Sequence, residues 1–239
     1  MTSLTGSLPS SPNELRRTLA QALRAKELRL RRNWLRTYQP YIKQLEFHAA
    51  GADHSERLFM AGNQLGKTLA GGAEVAYHLT GLYPDWWPGA RFDEPPLIWA
   101  GSVTGEATRD NPQRILVGQP AQPAEWGTGT IPGDLIIGSD KAMGVPNLLD
   151  NCQVKHVNGT SQVTFKAYEK GREKWQGPTV RLVWFDEEPP LDIYSEGLTR
   201  TQAFGICTMI TATPLLGITE VIRSFVHDQA RHEDDNIRR

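Results

Sequence analysis

The chain has 239 residues, enough for one large α/β domain with a helical appendage but cramped for two full domains. Its 26 basic and 27 acidic residues give a formal net charge of −1, so the average composition does not indicate a nucleic-acid partner. No apolar segment approaches the ~20 residues of a membrane span, the N-terminus does not resemble a secretory signal, and Cys152 and Cys207 lack metal-ligand or redox spacing. These features predict a protein of the reducing cytoplasm without a membrane partner.

Two segments are expected before the main domain. Residues 1–10, rich in Ser, Thr, Gly and Pro, are predicted to be flexible. Ser11-Pro12-Asn13-Glu14 is a capping box, so a helix should begin there. We predict a basic amphipathic helical extension over residues 11–40, because positions 12–38 contain eight basic and only two acidic residues. This extension could contact DNA or another partner, or it could be a solvated face; the sequence favours neither.

Residues 61–68 have the layout of a phosphate-binding loop. The apolar run 58–60 precedes them, and helix-compatible residues follow as far as Leu79. Small residues let successive backbone N–H groups wrap a polyphosphate, a lysine can reach its β and γ phosphates, and a hydroxyl can hold Mg²⁺. A plain glycine turn would not need Lys-Thr at this spacing. The predicted nucleotide-binding residues are Ala61, Gly62, Asn63, Gln64, Leu65, Gly66, Lys67 and Thr68.

Strand and helix patterns alternate through the rest of the chain. The apolar run 97–100 has the length of a buried parallel strand, and residues 104–117 could form a helix. Residues 118–151, rich in Gly and Pro, permit little assignment. Residues 152–157 and 162–168 alternate by side-chain type and flank Asn158-Gly159, which is a strong hairpin signal. We therefore predict an α/β fold with a mostly parallel central sheet flanked by helices, an antiparallel hairpin and an N-terminal helical extension.

An apolar strand within residues 180–188 ends in two acidic side chains. Asp186 is placed where it could hold Mg²⁺, and Glu187 where a base that activates water belongs. Ligands of open α/β sheets bind at the carboxyl ends of strands, and Asp186 falls at such an end. A polar loop or a helix start would explain one acid, but not two acids after a strand together with a matching phosphate loop. The pair predicts nucleotide hydrolysis.

A further apolar strand, residues 206–210, leads into Thr211, Ala212 and Thr213. Hydroxyls at the carboxyl end of a strand can hydrogen-bond the γ-phosphate or the attacking water and sense its loss. Threonine also suits strands for structural reasons, and Pro214 would end one. We favour the sensing role and predict that residues 211–213 couple hydrolysis to movement.

Four segments together resemble the ATPase domain of the large terminase subunit of tailed bacteriophages. They are Gly62-Asn63-Gln64-Leu65-Gly66-Lys67-Thr68, Gly171-Arg172-Glu173-Lys174-Trp175-Gln176-Gly177, Trp184-Phe185-Asp186-Glu187-Glu188-Pro189-Pro190 and Thr211-Ala212-Thr213-Pro214-Leu215-Leu216-Gly217. The resemblance covers roughly residues 41–225. It implies a P-loop NTPase of the ASCE type, which we place at residues 41–232, before a flexible tail at 233–239.

The resemblance also implies roles, cofactors and partners. ATP and Mg²⁺ would be held by the loop, with Thr68 and Asp186 on the metal, Glu187 and Lys67 in catalysis, and residues 211–213 in coupling. A glutamine ahead of the loop reads adenine in this family, and Gln44 is the matching candidate. The implied partners are double-stranded DNA, the portal protein and the small terminase subunit. The implied assembly is a homo-oligomeric ring, with a monomer as the alternative in isolation, in the host cytoplasm and transiently docked on the procapsid.

Two departures from the family pattern affect the predicted activity. Many family members have an arginine inside the phosphate loop, where this chain has Asn63-Gln64. The arginine that stabilises the transition state must then come from elsewhere. Arg172 is the first choice, acting either in its own or in a neighbouring subunit, followed by Arg200 and Arg109. Family members usually continue into a metal-dependent nuclease domain, which is absent from these residues, so no nuclease activity is expected.

Two other functions remain open on sequence grounds. A helicase-like or other P-loop DNA-dependent ATPase would share both nucleotide motifs but would show further motifs and a second α/β domain. A nucleotide-binding assembly switch with little hydrolysis would lack the catalytic carboxylate, whereas Glu187 is present. The terminase-type motor is the function that we predict.

Overall fold

The computed structural model describes residues 11–205, 207–213, 217 and 219–225. The predicted flexible segments at 1–10 and 233–239 lie outside the described residues, as does part of the fourth resembling segment. Within the described part, a seven-stranded sheet has helices on both faces. Its strands are β1 (Glu56–Met60), β2 (Leu97–Ser102), β3 (Ile136–Lys141), β4 (Leu149–His156), β5 (Gly159–Ala167), β6 (Leu182–Asp186) and β7 (Thr208–Ala212). The main helices are α1 (Pro12–Arg31), α2 (Ile42–Ala50), α3 (Lys67–Thr80), α4 (Gly105–Thr108), α5 (Arg114–Val117) and α6 (Leu191–Thr201).

The strand order is β1-β7-β6-β2-β5-β4-β3. The first five strands of this order run parallel, whereas β4 and β3 are antiparallel to their neighbours. Strand β7 therefore lies between β1, which leads into the phosphate loop, and β6, which ends in the two acids. The predicted α/β fold with a mostly parallel central sheet flanked by helices is confirmed.

The sheet is buried on both faces. Leu182 and Trp184 of β6 pack into the hydrophobic cluster under α3, and Val183 and Phe185 pack into the cluster that contains Ile193 of α6. An unbroken run of apolar residues, such as Leu182 to Phe185, suits a strand that is buried on both faces. The position of Asp186 and Glu187, at the carboxyl end of this strand, is therefore fixed by the core.

Most predicted elements occur where the sequence placed them. The hairpin forms between β4 and β5, and α3 ends at Gly81, which adopts the left-handed conformation with φ of 71°. The predicted helix over 104–117 is interrupted by a π-helical turn at Arg109–Gln113. Pro112 lies inside this turn and cannot donate a backbone hydrogen bond, which accounts for the break. The unassigned stretch 118–151 contains β3, which pairs with β4.

Helix α1 begins at the predicted capping box, where the Glu14 backbone N–H donates to the Ser11 hydroxyl at 3.2 Å. Residues 11–27 are exposed, including Leu15, Leu19 and Leu23 on one face. The loop that follows is attached to the domain because Arg32 donates to the Ala124 carbonyl at 2.7 Å. Among the described residues, no helix has the length and apolar character needed to cross a bilayer.

Candidate active site

The phosphate loop joins β1 to α3 at the carboxyl edge of the sheet. Gln64 and Gly66 adopt the left-handed backbone conformation, with φ of 61° and 75°, just before the helix begins. A side chain at position 66 would be strained by this φ, and its Cβ would lie 2.9 Å from the Gln44 amide nitrogen. Lys67 and Thr68 begin α3, whose N-terminus favours negative charge. The loop geometry therefore agrees with the predicted phosphate cradle.

Lys67 lies within reach of the predicted catalytic base. Its ammonium nitrogen is 3.4 Å from a carboxylate oxygen of Glu187, and its side chain is only 8% exposed. A lysine this buried needs a negative partner. Glu187 provides that partner.

Asp186 ends β6 and is 1% exposed. The hydroxyls of Thr68 and Thr211 donate to the same carboxylate oxygen, Oδ1, at 2.9 and 3.1 Å. Burial, with a further contribution from the Glu187 charge, raises the pKa of Asp186 to about 7, although these hydroxyls act in the opposite direction. The two residues predicted to bind the metal, Thr68 and Asp186, are therefore in direct contact.

Glu187 has a backbone conformation that is rare for its residue type, with φ of 65°. Its N–H donates to the Thr211 carbonyl at 2.9 Å, and its carbonyl accepts from the Tyr168 hydroxyl at 2.9 Å. Its carboxylate accepts from the Thr213 N–H at 2.8 Å and lies 3.3 Å from the Thr213 hydroxyl. These contacts hold the side chain of Glu187 toward the phosphate loop.

The predicted coupling segment lies between the loop and the acids. Ala212 accepts a backbone hydrogen bond from Ala61 at 3.2 Å, and the Thr213 hydroxyl is 3.2 Å from the side-chain oxygen of Asn63. Thr211 and Thr213 contact Asp186 and Glu187, respectively. Residues 211–213 therefore contact the phosphate loop on one side and the two acidic residues on the other. Their role in coupling stays a prediction.

Gln44 is buried and both ends of its amide are engaged within the protein. Its nitrogen donates to the Gly66 carbonyl at 2.9 Å, and its oxygen accepts from the Tyr41 N–H at 3.2 Å. A cavity of about 890 Å³ opens beside it. Its wall includes Trp34, Tyr38, Tyr41, Phe59, Gln64 and Leu65. Gln44 thus supports the loop in this conformation, and reading of adenine by Gln44 stays a prediction.

The candidate arginines form ion pairs elsewhere. Arg172 donates from Nε to Glu196 at 3.0 Å, and Arg200 lies 2.9 Å from the other oxygen of Glu196. Arg109 pairs with Asp110 at 2.9 Å. Within the described part of the chain, none of the three has a hydrogen bond or ion pair to Lys67 or Glu187. The structure therefore does not bring Arg172 together with the other predicted catalytic residues, and its role stays a prediction.

The donor set fits Mg²⁺ in its usual form. Among the residues described, no group of three or more His, Cys, Asp or Glu side chains could enclose a metal. Mg²⁺ commonly takes one or two carboxylates together with substrate phosphates and water, so one carboxylate and one hydroxyl beside a phosphate cradle are sufficient. Thr68 and Asp186 supply these oxygens.

Two residues at the site were missed by sequence reasoning. The Tyr168 hydroxyl lies within 3.2 Å of three backbone carbonyls, those of Gly101, Asp186 and Glu187. Trp184 donates from its indole nitrogen to the Thr211 hydroxyl at 2.9 Å. Both look like core aromatics in the sequence, and only the strand order β7-β6-β2-β5 shows what their polar atoms contact.

Comparison with known proteins gives consistent results. The family model described as terminase large subunit, T4likevirus-type, N-terminal, matches residues 58–229. The terminase large subunit of Salmonella phage P22 is 45% identical over 214 residues, covering 82% of this chain and 43% of that protein. That of Enterobacteria phage LP7 is 26% identical over 137 residues, covering 56% of this chain and 28% of that protein. The chain thus spans less than half the length of these curated relatives.

Two solved structures of phage large terminases are similar to part of this chain. The large terminase ATPase domain of Thermus phage P74-26 has a TM-score of 0.48 at 18% identity, covering 74% of this chain and 66% of that one. The large terminase of a second thermophilic bacteriophage, in complex with ATP-γ-S, has a TM-score of 0.47 at 12% identity, covering 72% of this chain and 38% of that one. The match of the family model and the 45% identity to the phage P22 protein show that the chain belongs to the terminase large subunit family.

Proposed function

We propose that this chain is the ATPase motor domain of a viral terminase large subunit, which hydrolyses ATP with Mg²⁺ to drive double-stranded DNA into the procapsid. One observation supports this most strongly. Lys67, Thr68, Asp186 and Glu187 come from two distant segments, yet they form one connected cluster at the carboxyl ends of the parallel strands. A cradle for phosphate, a metal carboxylate and a base for water are the parts that hydrolysis needs.

Each residue has a separate task in the proposed reaction. The backbone N–H groups of residues 62–66 and the Lys67 ammonium bind the phosphates, and Thr68 and Asp186 hold the metal. The Ala61 N–H instead donates to the Ala212 carbonyl. When bound, Mg²⁺ neutralises charge on the phosphate oxygens. Binding of the γ-phosphate draws Lys67 away from Glu187, because the phosphate is the stronger anion. The freed Glu187 carboxylate then accepts a proton from the attacking water, whose oxygen bonds to the γ-phosphorus as the bond from that phosphorus to the ADP oxygen breaks.

The remaining partners follow from family membership and are part of the same proposal. They are double-stranded DNA, the portal protein, the small terminase subunit and further copies of this chain in a ring, in the host cytoplasm and docked on the procapsid. Arg172 is proposed to act on the ATP of a neighbouring copy. Its side chain is 56% exposed, so it could reach beyond its own subunit.

The test compares ATP turnover at several protein concentrations, with and without DNA, for the parent, Glu187→Ala and Glu188→Ala. Glu188 is the matched control, because its carboxylate contacts the Thr219 hydroxyl rather than the phosphate cluster. We expect Glu187→Ala to bind ATP like the parent but to lose Mg²⁺-dependent turnover by about 10³-fold. Parent-like turnover by Glu187→Ala would show that the assigned base is wrong.

A mixing experiment tests the arginine. Arg172→Ala and Glu187→Ala subunits are each expected to be slow alone. A mixture should recover turnover, because a Glu187→Ala subunit can offer its intact Arg172 to a neighbour whose Glu187 is intact. No recovery in a mixture shown by sedimentation to contain assembled subunits would argue against action between subunits.

A further inference from the structure

A directed chain of hydrogen bonds leads from the core to the metal carboxylate. The Trp184 indole N–H donates to the Thr211 hydroxyl at 2.9 Å, and that hydroxyl donates to Oδ1 of Asp186 at 3.1 Å. Trp184 and Thr211 are fully buried, and Asp186 is 1% exposed. Water is therefore a poor substitute for any of the three groups.

The chemistry of the three groups fixes which atom donates and which accepts in each hydrogen bond. An indole nitrogen can only donate, so the Thr211 oxygen must accept from Trp184. A hydroxyl has one proton, and Asp186 is the acceptor that the Thr211 proton meets. Without the indole, the Thr211 oxygen would lose the donor that fixes the orientation of its hydroxyl. With it, the hydroxyl keeps its proton aimed at Asp186.

The position of Trp184 is fixed by packing against the helix that follows the phosphate loop. A Cβ built on Gly71 of α3 would lie 2.7 Å from the Trp184 ring, and one on Gly72 would lie 3.7 Å from it. Only glycine at position 71 allows this approach. The indole thus connects α3, whose first residues are Lys67 and Thr68, with β6 and β7.

We propose that Trp184 is a positioning residue for the metal site: acting through Thr211, it holds the Asp186 carboxylate in the orientation that receives the divalent cation. The inference rests on the proposed function, because it assigns the metal to Thr68 and Asp186. Loss of the indole N–H should weaken binding of the cation and leave binding of the nucleotide itself unchanged.

The test uses Trp184→Phe, which keeps an aromatic ring and removes the N–H, in the full chain. The main measurement is Mn²⁺ binding in the presence of ADP, followed by electron paramagnetic resonance of free Mn²⁺, which requires no turnover. We expect about tenfold weaker Mn²⁺ binding and a matching rise in the Mg²⁺ needed for half-maximal ATP turnover. Trp99→Phe is the control, since Trp99 is equally buried on β2 and packs against Trp175.

A second variant and a double mutant keep the inference testable if Trp184→Phe does not fold. Thr211→Val should weaken Mn²⁺ binding at least as much, whereas Thr211→Ser should retain it. Adding Trp184→Phe to Thr211→Val should cause no further loss, because Trp184 acts on Asp186 only through the Thr211 hydroxyl. Unchanged Mn²⁺ binding in Thr211→Val, or in a folded Trp184→Phe, would overturn the inference. Failure of the parent to bind Mn²⁺ with ADP or to hydrolyse ATP would instead refute the proposed function.

Discussion

Replacing Asp186 by asparagine should abolish activity and yet stabilise the protein. The carboxyl group is buried, and its pKa is raised from 3.8 to about 7. Between these two pH values the unfolded chain releases a proton that the folded chain keeps, so folding becomes less favourable as the pH rises. Above pH 7 the penalty levels off at about 4 kcal/mol, because each pKa unit corresponds to about 1.36 kcal/mol. An amide has no such penalty and can still accept from Thr68 and Thr211.

The prediction has a definite pH dependence, measured by urea unfolding of the parent and Asp186→Asn between pH 5 and 8. The free energy of unfolding of the variant should exceed that of the parent, and the difference should grow by about 2 to 3 kcal/mol over this range. Asp85→Asn, at an exposed position, is the control and should change stability by less than about 0.5 kcal/mol. A variant that is less stable than the parent at pH 8, or a difference independent of pH, would refute the reasoning.

Three further predictions concern different parts of the molecule. Glu74→Gln leaves the buried Arg57 guanidinium, 2.6 Å from the carboxylate, without its counter-charge and should lower the free energy of unfolding by about 3–5 kcal/mol in urea titrations. Tyr168→Phe should lower kcat about tenfold or more at unchanged ATP affinity in steady-state assays, since the Glu187 carbonyl loses its donor. Charge reversal at Arg16, Arg17 and Arg24 should weaken DNA binding and flatten its salt dependence; unchanged affinity would indicate a solvated face.

The features predicted correctly from sequence are those that depend on local chemistry. The loop at 61–68 needs particular backbone angles and a Lys-Thr pair, and each is specified by residues within a few positions. The hairpin turn and the start of α1 at Ser11 are equally local. The acids at the end of β6 follow from the apolar run before them. Because the carboxyl ends of parallel strands lie at one end of the sheet, the sequence alone predicts that these segments lie close together.

The features that sequence did not predict depend on contacts between distant segments. The sequence shows that Gln44 precedes the loop, but not that its amide is already bonded to Gly66 and Tyr41. Glu74, His48 and Arg57 form a buried polar cluster, although each lies on a different element. Burial works against the charged form of Glu74, but Arg57 and the histidines lower its pKa well below the usual value. Pairing of this kind has no local pattern.

The charge balance of the site supports the proposal that an arginine takes part in hydrolysis and favours Arg172 over Arg200 for this role. Bound ATP adds more negative charge than Lys67 and Mg²⁺ can offset, and Asn63-Gln64 adds none of the missing positive charge. Glu196 is 3% exposed and pairs with both arginines. If Arg172 leaves, Glu196 keeps Arg200 as its partner, so no buried charge is left alone. Arg200 is less exposed and also donates to the Gly177 carbonyl at 2.7 Å, so its release would break two contacts. Arg172 can therefore leave its ion pair with Glu196 at low cost, which supports the proposal that it acts on the ATP of a neighbouring subunit.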